Sequence, residues 1–341
     1  MANWVTLRNG VHIDLDDPNN PISGGKSFGE FFKEQSGKTE KGKTTNKTKT
    51  FDRDRVKIAL NAQNQPGVNI ISNGSSSFKY DDKVKPIVDT NGKLTETQLK
   101  NADAFVEDGM SNNVKPFQKE KSIDMSKVKA RGNLTDSEAK EAVSLADKVY
   151  EKAASVEPQI TKDVLSAVES VGGQMYGLDY RLKQPTSMAG KIGADSKEEQ
   201  AKGNKEYSFK DSANDIKDAV RYTTVLDEDN YTNGYNKIKA SMEAKGYKEV
   251  RCKNYFDKYE KGQSCQKAVQ CSYQNKDGYV FEFQFHTTRS LGIKEKYNHK
   301  LYEISREKTT PEEESEKLNT IMTKFGTYVN NPKGVLSIKS H

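Results

Sequence analysis

Apolar positions are spread unevenly along this chain, and their grouping sharpens near residue 134. After Leu134 they recur at helical spacing (Ala139, Ala142, Val143, Leu145, Ala146, Val149, Tyr150) behind a Thr135 or Asp136 cap. Pro158 is expected to open a second helix that runs to Val171 and ends at Gly172 and Gly173. "QMYGLDYRL" then reads as a strand, and Pro185 with Thr186 as the start of a short helix. "AVRYTTVL" (219–226) is a β-branched strand, "DNYTNGYNKIKASMEAKG" an amphipathic helix, and "YKEVRCKN" the next strand. "AVQCSYQNKDGYVFEFQFHT" predicts two strands about a turn at Asp277-Gly278, and two helices close the pattern at about 287–307 and 310–325. Strands alternating with helices, plus one hairpin, predict an α/β (α+β) fold: a mixed sheet of about five strands flanked by helices.

The residues before 135 read differently. "WVTLRNGVHIDL" alternates apolar and polar positions about Asn9-Gly10, which predicts a hairpin-like segment over 1–23. Residues 24–50, with "KTEKGKTTNKTKT" at their extreme, form a solvated linker that has no face to bury. Residues 51–135 carry short apolar clusters among polar ones and fit an arm, a small domain or partial disorder. The domain proper is placed at 136–330.

Composition supports one packed core with a long polar extension. The 341 residues are 33% hydrophobic and 30% charged, with mean hydropathy −0.92. A net charge of +6 permits anionic partners without demanding nucleic acid. Three cysteines, Cys252, Cys265 and Cys271, are no disulfide framework. They lack CxxC spacing, so reduced thiols are expected over a zinc site completed by His286. The N-terminus has no cationic stretch followed by an apolar run, so no secretory leader is expected, and no window reaches a membrane span of roughly 18 apolar residues.

Two clusters carry candidate chemistry. In "YRLKQPTSMAGKI", Arg181 and Lys183 alternate onto one strand face, while Ser187 and Lys191 share one helix side. With the amides of the helix start, these groups suit a polyphosphate; two exposed cations and a helix cap would look the same. In "FEFQFHT", Phe281, Phe283 and Phe285 alternate with Glu282, Gln284 and His286, so the polar three face one cleft if the phenylalanines meet the core. A strand glutamate beside Asp215 or Asp218, near the strand that carries Arg221, suits Mg²⁺.

Taken in order, these segments from about 156 to 306 resemble the synthetase domain of the RelA/SpoT family of alarmone synthetases. The family's Arg-x-Lys-x-x-x-Ser-x-x-x-Lys segment reads here as Arg181, Lys183, Ser187 and Lys191. "DIKDAVRYT" stands for its Asp-then-Arg strand, Glu282, Gln284, His286 and Thr287 for its Glu-x-Gln-x-(Arg/His)-Thr strand, and Glu295 with His299 for its closing helix. The resemblance implies a nucleotidyltransferase-like fold and Mg²⁺-dependent transfer of the ATP β,γ-pyrophosphate to a 3′-hydroxyl. Arg181, Lys183, Ser187 and Lys191 would hold ATP, joined by Arg221, His286, Glu295 and His299. Asp218, preferred to Asp215, and Glu282 would bind the metal, and Asp218, Glu282 and Gln284 would form the catalytic set.

The family's acceptor motif, Lys-x-x-Gly-Tyr-Arg-Ser, is absent; Gln266 stands where its tyrosine would be. The acceptor is left open between a guanine or adenine nucleotide and the 3′ end of tRNA, toward which Lys245, Lys248, Arg251, Lys253, Lys258, Lys261 and Lys267 would steer. Only His12 precedes residue 180, so no His-Asp hydrolase segment is expected. A synthetase without one suits a toxin or a tightly gated enzyme. The N-terminal "NWVTLRNGVHIDL" resembles a segment of phage head-morphogenesis proteins that carry toxin domains. That implies a phage structural partner or an immunity protein, and a location in the bacterial cytoplasm or within a phage particle, with no membrane partner. Two rival readings are a non-catalytic nucleotide- or phage-protein-binding module and a transferase that moves a nucleoside monophosphate.

Overall fold

The computed structural model describes residues 92–305 and 310–341, together with six short strands before them. Those strands pair antiparallel as β1 (Trp4–Thr6) with β2 (His12–Asp14), β3 (Pro21–Ile22) with β4 (Lys26–Ser27), and β5 (Ile70–Ser72) with β6 (Phe78–Tyr80). Val5 faces Ile13 across the first pair. The Asn9-Gly10 turn and residues 28–50 of the expected linker lie outside the described residues.

The described residues divide into two compact units. One comprises 107–257, 268–288 and 331–341 and holds an α+β fold. Its mixed five-stranded sheet has the order β7 (Gln174–Tyr176), β8 (Arg221–Val225), β11 (Val280–His286), β10 (Val269–Gln274), β9 (Lys248–Asn254). Only β8 and β11 run parallel; β7–β8, β10–β11 and β9–β10 are antiparallel. The β10–β11 hairpin turns through Gly278 at φ +82°, a conformation glycine adopts without a Cβ clash. Flanking helices are α2 (Met125–Gly132), α3 (Asp136–Glu169), α4 (Pro185–Ala201), α5 (Phe209–Asn214) and α6 (Tyr231–Ala244). Residues 107–135, part of the stretch read from sequence as an arm, a small domain or partial disorder, contain α2, which packs on α4.

Helix α3 corrects the expected break at Pro158. It begins at Thr135 with a capping box to Glu138 and runs on through the proline. Pro158 lacks the N–H that would meet the carbonyl four residues back. Ala153, Glu157, Ile160, Thr161 and Val164 are buried on both sides of it, and that continuous stripe holds the helix together. A second correction concerns "QMYGLDYRL". The strand stops at Tyr176 because Gly177 takes φ +68°, and Leu178–Tyr180 form a 3-10 turn.

The sheet's aromatic face makes the core. Phe281, Phe283 and Phe285 are fully buried, and Tyr222 meets the first two edge-on at 5.9 and 6.3 Å. Tyr235 of α6 meets Phe285 at 5.0 Å. Each such ring contributes roughly 1.5–3 kcal/mol by burial.

The other unit comprises residues up to 106, 258–267 and 289–330. It contains most of α1 (Glu96–Gly109), the end of α7 (Tyr255–Glu260), and a helical run through α8 (Thr288–Ile293), a π-helical turn Lys294–Asn298 and α9 (His299–Ser305). Helix α10 (Glu312–Gly326) completes it. Arg289 makes a bidentate pair with Asp103, and Tyr297 donates to the Gln98 carbonyl at 2.8 Å. Gly292 leaves room for the Ala102 carbonyl, which an added Cβ would approach to 2.6 Å.

Candidate functional site

Strand β11 is the middle strand, so the face opposite its phenylalanines lies at the centre of the sheet rather than at an edge. Register carries one row of side chains across that polar face: Arg221 of β8, Glu282 of β11, Ser272 of β10 and Arg251 of β9. The next row holds Thr223, Gln284, Gln270 and Lys253. Glu282 is 9% exposed, and its two oxygens accept from the side-chain amides of Gln270 and Gln284. Both donors are neutral amides, so neither supplies a cationic partner. His286, two residues on, is only 1% exposed, so it is a buried member of this strand.

The cationic segment reaches the same face. Leu182 bridges Val220 antiparallel, Lys183 donates its backbone N–H to the Ala219 carbonyl, and Arg221 donates to the Arg181 carbonyl. Strand alternation then turns Lys183 to the side that bears Arg221 and Glu282. The Lys183 ammonium donates to Asp218, and Lys191 donates to the other Asp218 oxygen at 3.1 Å. Burial pulls the Lys183 pKa down to about 8, against the opposing pull of Asp218; Lys191 and Arg221 depress it further. Burial would raise Asp218, but Lys183 and Lys191 outweigh it and hold that carboxyl well below the usual range. Asp195, one turn beyond Lys191, is raised by burial despite Lys191 and Arg131.

Arg181 goes elsewhere. Its φ of −63° and ψ of −24° are helical, so the expected alternation with Lys183 fails. The guanidinium, 4% exposed, donates to Glu157 at 2.6 Å and to the carbonyls of Leu178 and Lys115. Thr161 also donates to Glu157 and lies 2.7 Å from the Tyr222 hydroxyl, completing a buried network under the aromatic face. Glu157 was not singled out from the sequence, although it falls within the apolar stripe of α3.

The start of α4 is already engaged. Its Thr186 amide donates to the Glu120 carboxylate, and the Thr186 hydroxyl accepts from the Asp124 amide. Ser187 is exposed, and its carbonyl accepts from Arg131 at 3.3 Å. Asp215 accepts from Tyr207 at 2.8 Å, so Asp218 rather than Asp215 joins the lysines.

Glu295 and His299 belong to the other unit, on the π-helical turn and at the start of α9. There Glu295 lies 3.3 Å from Lys294, and His299 lies 3.5 Å from Glu303. Of the basic residues expected to steer an acceptor, Lys267 is buried and donates to the Val329 carbonyl at 2.9 Å, and Lys245 pairs with Asp163. Cys252 and Cys271 are free thiols on neighbouring strands and form, with Glu249, the group among the described residues that could hold a metal. Glu249 already accepts from Tyr235 and Tyr273 at 2.9 Å and from Lys239 at 2.7 Å, so an ammonium supplies the local positive charge. No helix among the described residues is long and apolar enough to cross a membrane.

No family model matches the chain, and neither a curated protein nor a solved structure matches it.

Proposed function

We propose that the polar face of the sheet is the active site of a Mg²⁺-dependent pyrophosphotransferase on a nucleotidyltransferase-like fold, similar in chemistry to RelA/SpoT alarmone synthetases. The observation that carries the reading is the register that turns Lys183, Arg221 and Glu282 to one side. Lys183, Lys191 and Arg221 would neutralise the donor's phosphates, and Arg181 would fix the segment from beneath through Glu157. Glu282, its oxygens oriented by two amides, would accept the proton of the attacking 3′-hydroxyl.

The donor set fits Mg²⁺. Asp218 is a hard oxygen ligand kept ionised by its lysines, and Glu282 offers two further carboxylate oxygens oriented by side-chain amides. These two carboxylates would hold the ion, which would lower the charge that an incoming oxygen meets. Loading requires Lys183 and Lys191 to pass from Asp218 to the phosphates. The chain's own ion pairs thus keep the site ordered before ligand arrives.

The acceptor is a guanine or adenine nucleotide or the tRNA 3′ end. The test is chromatography of labelled ATP with GDP, GTP, ADP, ATP or tRNA in Mg²⁺. AMP released with one acceptor supports the reading; no AMP with any acceptor refutes it, and free pyrophosphate would mean transfer of a nucleoside monophosphate. A non-catalytic nucleotide- or phage-protein-binding module is the second reading, favoured by the full occupation of Asp218 and Arg181 by protein partners. Binding without AMP would establish it. A toxin role, an immunity partner and a cytoplasmic or phage-packaged location follow from the resemblance and stand or fall with it.

A further inference from the structure

Beyond Glu282, the same polar row continues into an open concavity. A cavity of about 500 Å³ is lined by Lys217, Arg251, Ser272, Gln274, Val280 and His341. Lys217 precedes β8, Gln274 ends β10 and Val280 begins β11, so the cavity lies at the end of the sheet where the parallel strands start.

Two lining groups lack partners. Ser272 is 2% exposed, and its buried hydroxyl oxygen makes no hydrogen bond; the buried Nε of Arg251 makes none either. Folded chains rarely leave such groups unsatisfied. Here the two come from facing register positions on adjacent strands, Ser272 opposite Arg251, and both line the cavity. Ser272 also stands opposite Glu282, whose oxygens are taken up instead by Gln270 and Gln284.

The side chains of the lining are mostly donors. A guanidinium, an ammonium, a hydroxyl and a side-chain amide surround the space with no Asp or Glu side chain among them, while the His341 imidazole lies 3.7 Å from the Glu249 carboxylate. Such a set calls for a ligand rich in acceptors. A phosphate's oxygens match the planar donors of arginine, and a hydroxyl beside them completes the shell. The volume exceeds one phosphate, and Val250 and Val280 give it an apolar wall for the body of an ester.

We propose that Arg251, Ser272 and Lys217 form a second oxyanion subsite, separate from the Lys183–Lys191–Asp218 cluster, that seats the phosphate of a small phosphate ester. The geometry carries this without any transfer reaction. That the ester is the acceptor nucleotide is a further step, which rests on the pyrophosphotransferase reading.

The test is arginine-labelled NMR of the full chain, following the Arg251 Nε–H signal, assigned by its loss in Arg251→Lys. Inorganic phosphate should move it saturably, and a nucleoside 5′-monophosphate should do so at equal or lower concentration. Ser272→Ala, which removes a hydroxyl with no partner, should fold normally and weaken phosphate at this signal about threefold or more. Lys217→Gln should weaken it as well. The proposal is overturned if phosphate leaves the signal in place, if Ser272→Ala binds as tightly as the parent, or if a nucleoside without phosphate binds as well as the nucleotide. None of these readouts involves ATP turnover, so loss of the transferase reading would leave the subsite standing, and the reverse also holds.

Discussion

Arg221 and Glu282 face each other across the parallel β8–β11 pair, while the Glu282 carboxylate accepts from the amides of Gln270 and Gln284. A buried carboxyl group oriented by neutral amide donors, in register with an arginine, suits the proton-accepting role proposed for it. Glu282→Gln should therefore abolish AMP formation, by about a thousandfold or more, whereas the fold should lose only about 1–2 kcal/mol as one amide contact is rearranged. Turnover and chemical denaturation of the same preparation separate these effects.

Lys183 gives the site a pH limit. Its ammonium is pulled down to about 8 by burial, so triphosphate affinity should fall as pH rises past 8. Removing the Asp218 charge removes a group that raises that pKa, so Asp218→Asn should move the fall to lower pH. Titration calorimetry across pH 6.5–9.5 (roughly 1.5 units either side of that midpoint) checks both. Stability carries the opposite sign. The unfolded chain holds this proton up to the ordinary lysine value of 10.5, so the cost of burying the charge is relieved as pH climbs from about 8 to 10.5. Lys183→Met should lack that rise.

The Arg181–Glu157 pair is buried at both ends, 4% and 7% exposed. Deleting one partner leaves an uncompensated charge, so Glu157→Ala should cost about 3–5 kcal/mol in urea unfolding. On the proposed reading, turnover should fall only as far as the folded fraction does, because Arg181 still donates to the Leu178 and Lys115 carbonyls.

Pro158 offers a stability test without a charge. Within α3 it denies one helical hydrogen bond, and Pro158→Ala should raise the unfolding free energy by about 1–3 kcal/mol. A fall in stability would mean that the proline's shape is itself required by the packing.

Much of this architecture was legible as period. Phe281, Phe283 and Phe285 announced a strand with one buried face, and Gly278 announced its hairpin. What periodicity could not supply was the strand order that makes β11 central, since only pairing across the sheet decides that. Pro158 misled because a local breaker was outweighed by a buried stripe that continued past it. Arg181 and Lys183 looked equivalent at a spacing of two, but a helical φ and ψ at Arg181 sent it to Glu157. Glu157 itself was readable as a carboxylate in an apolar phase. Ser272 carried no signal until the cavity around it was seen.

The most direct measurement is a double-mutant cycle on Mg²⁺-loaded α,β-methylene-ATP, a donor whose scissile bond is blocked, with affinities taken for the parent, Lys183→Met, Glu282→Gln and the double variant. If one bound triphosphate meets both side chains, the effects will be coupled by about 1 kcal/mol or more. Effects that add to within about 0.5 kcal/mol would mean that the lysine and the glutamate serve different ligands, and the shared polyphosphate site would be lost.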